Sequence, residues 1–397
     1  MKPEQLYQSP NQIAPLYSRF NVAERLLLTG HSHQAWPDNA FEGQLLAWED
    51  AARYVDEKWE HAFNQAQKVK AGFANLIEDH EHNITLGSNT HELIIKFLSA
   101  LPLGKRPKLI TTDGEFHTIR RQLDRLGEEG VQIIKEPASP VGTLIERISS
   151  AIDDGTAAVL ISKVFYSTAV ILQDLGILAS RCQEVGAELL VDAYHAINVV
   201  PFSIKTEGLE SAFIVGGGYK YCQLGEGNCF LRVPPGCTLR PVITGWFAEF
   251  ENLGQQRKEN QVQYPSDAAR FSGSTYDPTS HYRGAKIFDF FHSYQLTPEL
   301  LRTVNQHQVQ FLISCFNTLD VDANLIDYDR SIAPDNRGGF LVLHTPYAHI
   351  LQQLLKQQGV LTDYRGTSLR LGPAPYLSDA QLSTAMQILN EVIKDRF

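Results

Sequence analysis

Two short segments carry residue types from which a reaction centre can be built. In Val191-Asp192-Ala193-Tyr194-His195, an apolar run ends in an aspartate. In Phe213-Ile214-Val215-Gly216-Gly217-Gly218-Tyr219-Lys220-Tyr221, a second apolar run ends in three glycines and a lysine flanked by tyrosines. A carboxylate at the carboxyl end of a buried strand sits where open α/β sheets bind ligands. A lysine is rarely buried unless it is paired or functional, and desolvation lowers its pKa until the free amine becomes a nucleophile. Each segment also has a plainer reading, with Asp192 capping a turn and Lys220 facing solvent. The glycine run is not a G-x-G-x-x-G and no clear helix follows it, which discounts a dinucleotide site.

Such residues need a scaffold that sets strand ends side by side, and the surrounding pattern supplies one. Strands are expected at 83–86, 108–112, 131–135, 157–164, 188–192, 212–215 and 229–233. Helices are expected between them at 90–101, 118–126, 143–152 and 177–185. The strands are continuous apolar runs, as a sheet buried on both faces requires. Their alternation with helices means an α/β layer fold with a mostly parallel sheet. Upstream, Phe41, Leu45, Trp48, Ala52, Tyr54, Trp59 and Phe63 recur at helical spacing from Asn39 to about Leu76. The stretch from Asn252 to Pro278 is polar and irregular. Beyond it the style changes: helices at 282–294, 298–319, 348–358 and 378–395, and strands at 340–343 and 368–372. Phe288, Phe290 and Phe291 read as helix core. The expectation is an N-terminal arm and large domain over 1–280, and a smaller α+β domain over 281–397.

An aspartate at one strand end and a lysine after the next apolar strand resemble the fold-type-I pyridoxal-phosphate (PLP) enzymes. Within them the class V group is the nearest in pattern: cysteine desulfurases, small-substrate aminotransferases and kynureninases. Further segments resemble kynureninases. Gly245-Trp246-Phe247 is similar to their Gly-Trp-Phe, Asp192-Ala193-Tyr194-His195 to their Asp-Leu-Ala-His, and Tyr219-Lys220-Tyr221 to their Tyr-Lys-Tyr. Ser368-Leu369-Arg370-Leu371-Gly372-Pro373 resembles the small-domain segment whose arginine clamps the substrate α-carboxylate. The resemblance runs from about Leu26 to the end of the chain.

This resemblance implies a set of roles. Lys220 would carry PLP as a Schiff base, and Asp192 would keep the pyridine nitrogen protonated so that the ring acts as an electron sink. Ser88-Asn89-Thr90 opens a helix where the family binds phosphate, a placement suited to an anion. Phe116 would stack on the ring. Ser162 and Thr168 would lie by the phenolic oxygen, with His195 and Tyr219 beside the cofactor. Trp246 would reach the phosphate from the partner subunit, and Ser274-Thr275 would make a second phosphate and substrate contact. Arg370 would hold the substrate carboxylate in a bidentate pair. His31 and His33 would line the substrate entrance. Lys220, Asp192 and Tyr219 form the implied catalytic set, with Lys220 shuttling a proton and Tyr219 donating one.

Departures from the family cluster near the substrate. Gly-Asn-Ser-Leu-Gly becomes Gly30-His31-Ser32-His33-Gln34, and Phe-Pro-Ser-Asp becomes Phe116-His117-Thr118-Ile119. Gly-Trp-Phe-Gly-His becomes Gly245-Trp246-Phe247-Ala248-Glu249, and Ser-Asn becomes Ser274-Thr275. The leading expectation is kynureninase-like hydrolytic Cβ–Cγ cleavage of an amino acid with a γ-carbonyl. The alternatives are a class V aminotransferase, a C–S or other β-lyase, and a non-catalytic PLP-fold scaffold. A desulfurase needs a mobile cysteine shortly before its carboxylate-binding arginine, and no cysteine follows Cys315.

Bulk properties set the frame. The chain is 43% hydrophobic and 20% charged, with a net charge of −10. An acidic chain without a basic block argues against nucleic acid and anionic membranes as partners. The five cysteines, Cys182, Cys222, Cys229, Cys237 and Cys315, are odd in number and show no CxxC spacing. This disfavours a disulfide framework or zinc site and fits a reducing compartment. His31 and His33 lack an obvious third ligand, so no metal is expected. The N-terminus is polar, without the apolar core of a signal peptide, and no apolar run approaches the roughly 20 residues that span a bilayer. The expectation is a cytoplasmic enzyme acting on an amino acid, with the homodimer taken from the family.

Overall fold

The computed structural model describes residues 1–252, 254 and 260–396. The irregular stretch read from Asn252 onward includes 253 and 255–259, which lie outside the described residues, as does Phe397 at the end of the expected second domain.

After an arm of 3-10 turns comes β1 (Leu26–Leu27), then α1 (Asn39–Tyr54) and α2 (Lys58–Leu76). The sheet-forming region holds β2 (Ile84–Gly87), α3 (Thr90–Ala100), β3 (Lys108–Thr112), α4 (His117–Glu128), β4 (Gln132–Glu136), α5 (Leu144–Ala151) and β5 (Thr156–Ser162). It continues with α6 (Leu175–Val185), β6 (Glu188–Asp192), β7 (Phe213–Gly217) and β8 (Cys229–Arg232). The second half holds α7 (Thr279–Ser293), α8 (Pro298–Asn317), β9 (Leu341–His344), α9 (Ala348–Gln357), β10 (Val360–Leu361), β11 (Asp363–Arg365), β12 (Ser368–Leu371) and α10 (Asp379–Arg396).

The seven-stranded sheet has the order β2-β8-β7-β6-β5-β3-β4. Its strands run parallel except β8, which is antiparallel to both neighbours. The connection from Gly218 to Asn228 is too short for a crossover helix, so β8 must turn back on β7. Every residue of β3, β5 and β7 is buried, which accounts for their uninterrupted apolar character. The fold is the α/β architecture expected from the alternation of elements.

Three features depart from expectation. The helical run from Asn39 breaks at Val55, whose φ is 52°, and α2 starts afresh at Lys58. Neither Gly nor Pro marks the break, so the pattern carried no stop signal. On α1 the apolar stripe faces outward: Phe41 and Leu45 are each 48% exposed and Trp48 is 76% exposed. The strands β1, β10 and β11 were not expected, because two or three residues are too few to show a period.

In the second half, β11, β12 and β9 form a small antiparallel sheet. The N-terminal arm reaches it, with β1 parallel to β10 and Thr29 bridging Gly372. Gly30 and Gly372 pass back to back. A methyl group on Gly30 would lie 2.2 Å from the Pro373 carbonyl oxygen, and one on Gly372 would lie 2.3 Å from His31 Nδ1. Helix α7 packs on α1 and α2 and so ties the start of the second half to the first.

Candidate active site

Strand register assembles the site. Ser162 at the end of β5 pairs with Asp192 at the end of β6, and Asp192 pairs with Val215 on β7. Past Val215 the chain has no room for side chains. A methyl group on Gly217 would lie 2.5 Å from the Tyr194 hydroxyl, and one on Gly218 would lie 2.7 Å from Leu224. The glycines therefore let the loop fold tightly, and Lys220 returns to the same sheet edge as Asp192.

A cavity of about 430 Å³ opens there, lined by Asn89, Thr90, Phe116, Ser162, Asp192, His195, Tyr219 and Lys220, among others. Lys220 is only 6% exposed, and its Nζ lies 2.7 Å from His195 Nε2. The Phe116 and Tyr194 rings are 5.5 and 4.6 Å from Nζ. Among the described residues no carboxylate lies within ion-pair distance of it. Burial lowers the Lys220 pKa to about 7; Asp192 opposes the shift and Arg370 adds to it. Burial and the Lys220 charge hold His195 well below its ordinary value, so it is neutral at pH 7. Among the described residues His195 Nδ1 is buried without a hydrogen-bond partner. Asp192 Oδ1 accepts a hydrogen bond from the Tyr194 amide at 2.9 Å. Burial raises the Asp192 pKa, against that hydrogen bond and the Lys220 charge.

Around these groups, Asn89 caps α3, its Oδ1 accepting from the Glu92 amide at 2.9 Å. The cap aims the positive end of a helix dipole at the cavity. Phe116 precedes α4 and meets Tyr166 edge-on at 5.3 Å. Tyr219 stacks on His33 at 4.7 Å, and burial pushes its pKa up to about 12, so it keeps its proton at neutral pH.

Other expected site residues lie elsewhere in this single chain. Ser274 and Thr275 line a second cavity of about 930 Å³, which meets the first at Ser88, Glu226 and Gly227. The Trp246 indole donates to Thr275 Oγ1 at 3.2 Å. Arg370 does not reach the cavity surface either. It is 3% exposed, its Nε and Nη2 both 2.6 Å from Asp363 Oδ1, and its Nη1 donates to the Tyr166 carbonyl at 2.7 Å. His31 is fully buried, 3.5 Å from the same Asp363 oxygen and stacked on Phe340 at 4.7 Å. Burial lowers its pKa to about 4. It therefore packs behind the wall rather than at a substrate entrance. His33 is exposed and sits 3.6 Å from Glu226. Thr168 accepts from the Val170 amide in a turn and does not line the cavity.

Two residues that the sequence reading missed belong to this region. Asp363 clamps Arg370 from the facing strand of the same hairpin; only the unrecognised β11 would have revealed it. Burial opposes ionisation of Asp363, yet the hydrogen bonds from His31 and Arg370, with the Arg370 charge, hold its pKa well below the carboxylate range. Glu115 is 1% exposed and bonded to Ser162 and Thr112; a single glutamate in a loop gives no such signal in sequence. Among the described residues no cluster of three His, Cys, Asp or Glu is placed to hold a metal.

The cavity thus combines a buried amine without a carboxylate partner among the described residues, a buried carboxylate, an aromatic face and a helix N-terminus. A ligand bearing an aldehyde, a basic ring nitrogen and a phosphate meets a complementary group for each, so the residues present fit PLP.

Comparison with known proteins agrees. Residues 293–389 match the kynureninase C-terminal domain family, and residues 43–224 match the class-V aminotransferase family. The chain is 23% identical over 360 residues to a kynureninase of Geobacillus thermodenitrificans, covering 84% of this chain and 79% of that one. It is 23% identical over 418 residues to a Bacillus cereus kynureninase, covering 98% and 89%. Among solved structures, a C-DES variant with glycine covalently linked to its PLP cofactor superposes with a TM-score of 0.82 at 15% identity, over 95% of this chain and 98% of that one.

Proposed function

The chain is a kynureninase-like protein of the PLP-dependent class V group, and from that premise we propose that it hydrolyses the Cβ–Cγ bond of an amino acid carrying a γ-carbonyl. The observation that carries the chemistry is Lys220: a buried amine, without a carboxylate partner among the described residues, sharing one cavity with Asp192. PLP, when bound, supplies a ring that accepts the electron pair of a bond broken at the amino acid's α-carbon.

The chain's own residues do the rest. Lys220 would hold the cofactor covalently, and its amine, once freed by the substrate's own amine, would take and return a proton at the α-carbon; burial lowers the free amine's pKa to about 7, where acid–base work is most efficient. His195, neutral and 2.7 Å away, keeps the amine oriented. Asp192 would keep a proton on the ring nitrogen. Asn89, Thr90 and the α3 N-terminus take the phosphate, and Phe116 covers the ring. Tyr219, still protonated at neutral pH, delivers a proton to the leaving side. Arg370, held behind the cavity wall by Asp363 and the Tyr166 carbonyl, would have to turn from those partners to take the substrate carboxylate, and His31 buttresses the resting pair. His33 borders the entrance beside Tyr219.

Trp246, Ser274 and Thr275 complete the phosphate and substrate contacts of a partner's cavity in a homodimer. Two things support that reading: their place in the adjoining cavity, and the exposed apolar surface formed by Phe41, Leu45 and Trp48, with Val242 82% exposed. A reducing, cytoplasmic setting goes with it, supported by the five free cysteines. No helix among the described residues is long and apolar enough to cross a membrane.

The match of residues 43–224 to class-V aminotransferases favours transamination as the second reading. A panel of amino acids, including kynurenine and 3-hydroxykynurenine, followed by mass spectrometry separates the two. Hydrolysis yields alanine and an aryl carboxylic acid. Formation of the corresponding oxo acid, with the chain's cofactor left aminated, would replace the hydrolase reading with the aminotransferase one.

A further inference from the structure

The proposed chemistry leaves one buried titratable group unused. Glu115 lies directly behind Ser162, and its two oxygens are not equivalent. Oε1 accepts from the Thr112 hydroxyl at 2.8 Å and from the Ser162 amide at 3.2 Å. The Thr112 hydroxyl itself accepts from the Gly114 amide at 3.2 Å, so its proton is committed to Glu115. Among the described residues Oε2 has a single partner, the Ser162 hydroxyl, at 2.5 Å.

The charges facing Glu115 point the same way. Asp192, paired in register with Ser162, presses on it with like charge. Lys163, the next residue along, spends its amine on Glu207 at 2.7 Å. No cation pairs with Glu115 among the described residues. An ionised carboxylate in that position is costly, and a carboxylic acid is not. In the acid, Oε1 is the carbonyl oxygen receiving two donors and Oε2 carries the proton. Burial, with Asp192 adding to it and the hydrogen bonds opposing, raises the Glu115 pKa to about 7.

We propose that Glu115 is a positioning residue: as a neutral acid it donates from Oε2 to Ser162 Oγ, which releases the Ser162 hydroxyl proton toward the occupant of the cavity. Were Glu115 ionised, the serine proton would turn to Oε2 and Ser162 would offer only lone pairs. The acid therefore fixes the polarity of one hydrogen bond in the cavity wall, selecting an anionic oxygen on the ligand. This inference rests on the PLP reading of the cavity and adds a residue to it.

Infrared spectroscopy of the cofactor-free protein tests the protonation directly. Wild type should show a carboxylic-acid C=O absorption at about pH 6 that is absent from Glu115→Gln and fades over roughly two pH units above neutrality. PLP then serves as the probe of positioning. The glutamine amide donates to Ser162 as the acid does, so Glu115→Gln should bind PLP within about threefold of wild type, whereas Ser162→Ala should lose about tenfold, the worth of one hydrogen bond to a charged group. The absence of the acid band from wild type at pH 6 overturns the proposal. So does a Glu115→Gln protein that loses as much PLP affinity as Ser162→Ala. An acid band in a protein that takes up no PLP would sink the functional reading and still support the neutral acid.

Discussion

On the proposed reading Lys220 is buried for chemistry rather than for folding, and its replacement should separate the two. Lys220→Ala should abolish the visible absorbance of the PLP-loaded protein and all turnover while leaving the fold intact; a retained band would refute the attachment. Titration gives a second handle. The folded-state pKa of Lys220 falls from 10.5 to about 7, so between those values the unfolded chain binds the extra proton and stability rises with pH. Glu115 rises from 4.5 to about 7, so there the folded state binds the extra proton and stability falls as pH rises. In the cofactor-free protein, wild type should lose stability relative to Glu115→Gln from pH 4.5 to 7, and gain it relative to Lys220→Ala from pH 7 to 10.5. Parallel melting curves across these ranges would contradict the shifts. Asp363→Asn should leave the Arg370 guanidinium buried without its counter-charge, at a cost of about 3–5 kcal/mol, read as a lower Tm and a raised KM. An unchanged Tm would show that the pair is dispensable. At this scale the sequence was informative where a residue sat next to a strand end, as with Asp192 and Lys220. It was silent on Glu115 and Asp363, whose importance comes from what the fold brings beside them.

Among the elements, α3 is the one whose end the proposed reading sets against the phosphate. Asn89 caps it through Oδ1, and Asn89→Ala should cost about 1 kcal/mol of stability together with weaker PLP affinity, measured by fluorescence titration. Loss of stability without loss of affinity would assign the helix end a structural role only. The long strands and helices were legible because burial on both faces, or helical spacing, repeats over enough residues to register. The break at Val55 was not, since no glycine or proline announces it. Nor was the β11–β12 hairpin, and with it went the Asp363–Arg370 pairing. The seven-stranded sheet could be anticipated as mostly parallel; the reversal of β8 follows from a short connection rather than from any residue pattern.

For the whole molecule, the exposed apolar surface of α1 is where the proposed homodimer can be tested. Trp48→Glu should convert a dimer to monomers in analytical ultracentrifugation and lower cofactor retention with it; a variant that stays dimeric would move the interface elsewhere. The helical spacing of that stripe was visible in the sequence, but its outward direction was not, because periodicity says that one face is apolar without saying what covers it. The back-to-back passage of Gly30 and Gly372 has a consequence in time. The arm places His31 beside Asp363, a residue 332 positions further along the chain. The contact of His31 with the Asp363–Arg370 pair therefore closes a very long loop, and the entropy of that closure must be met before the contact can form.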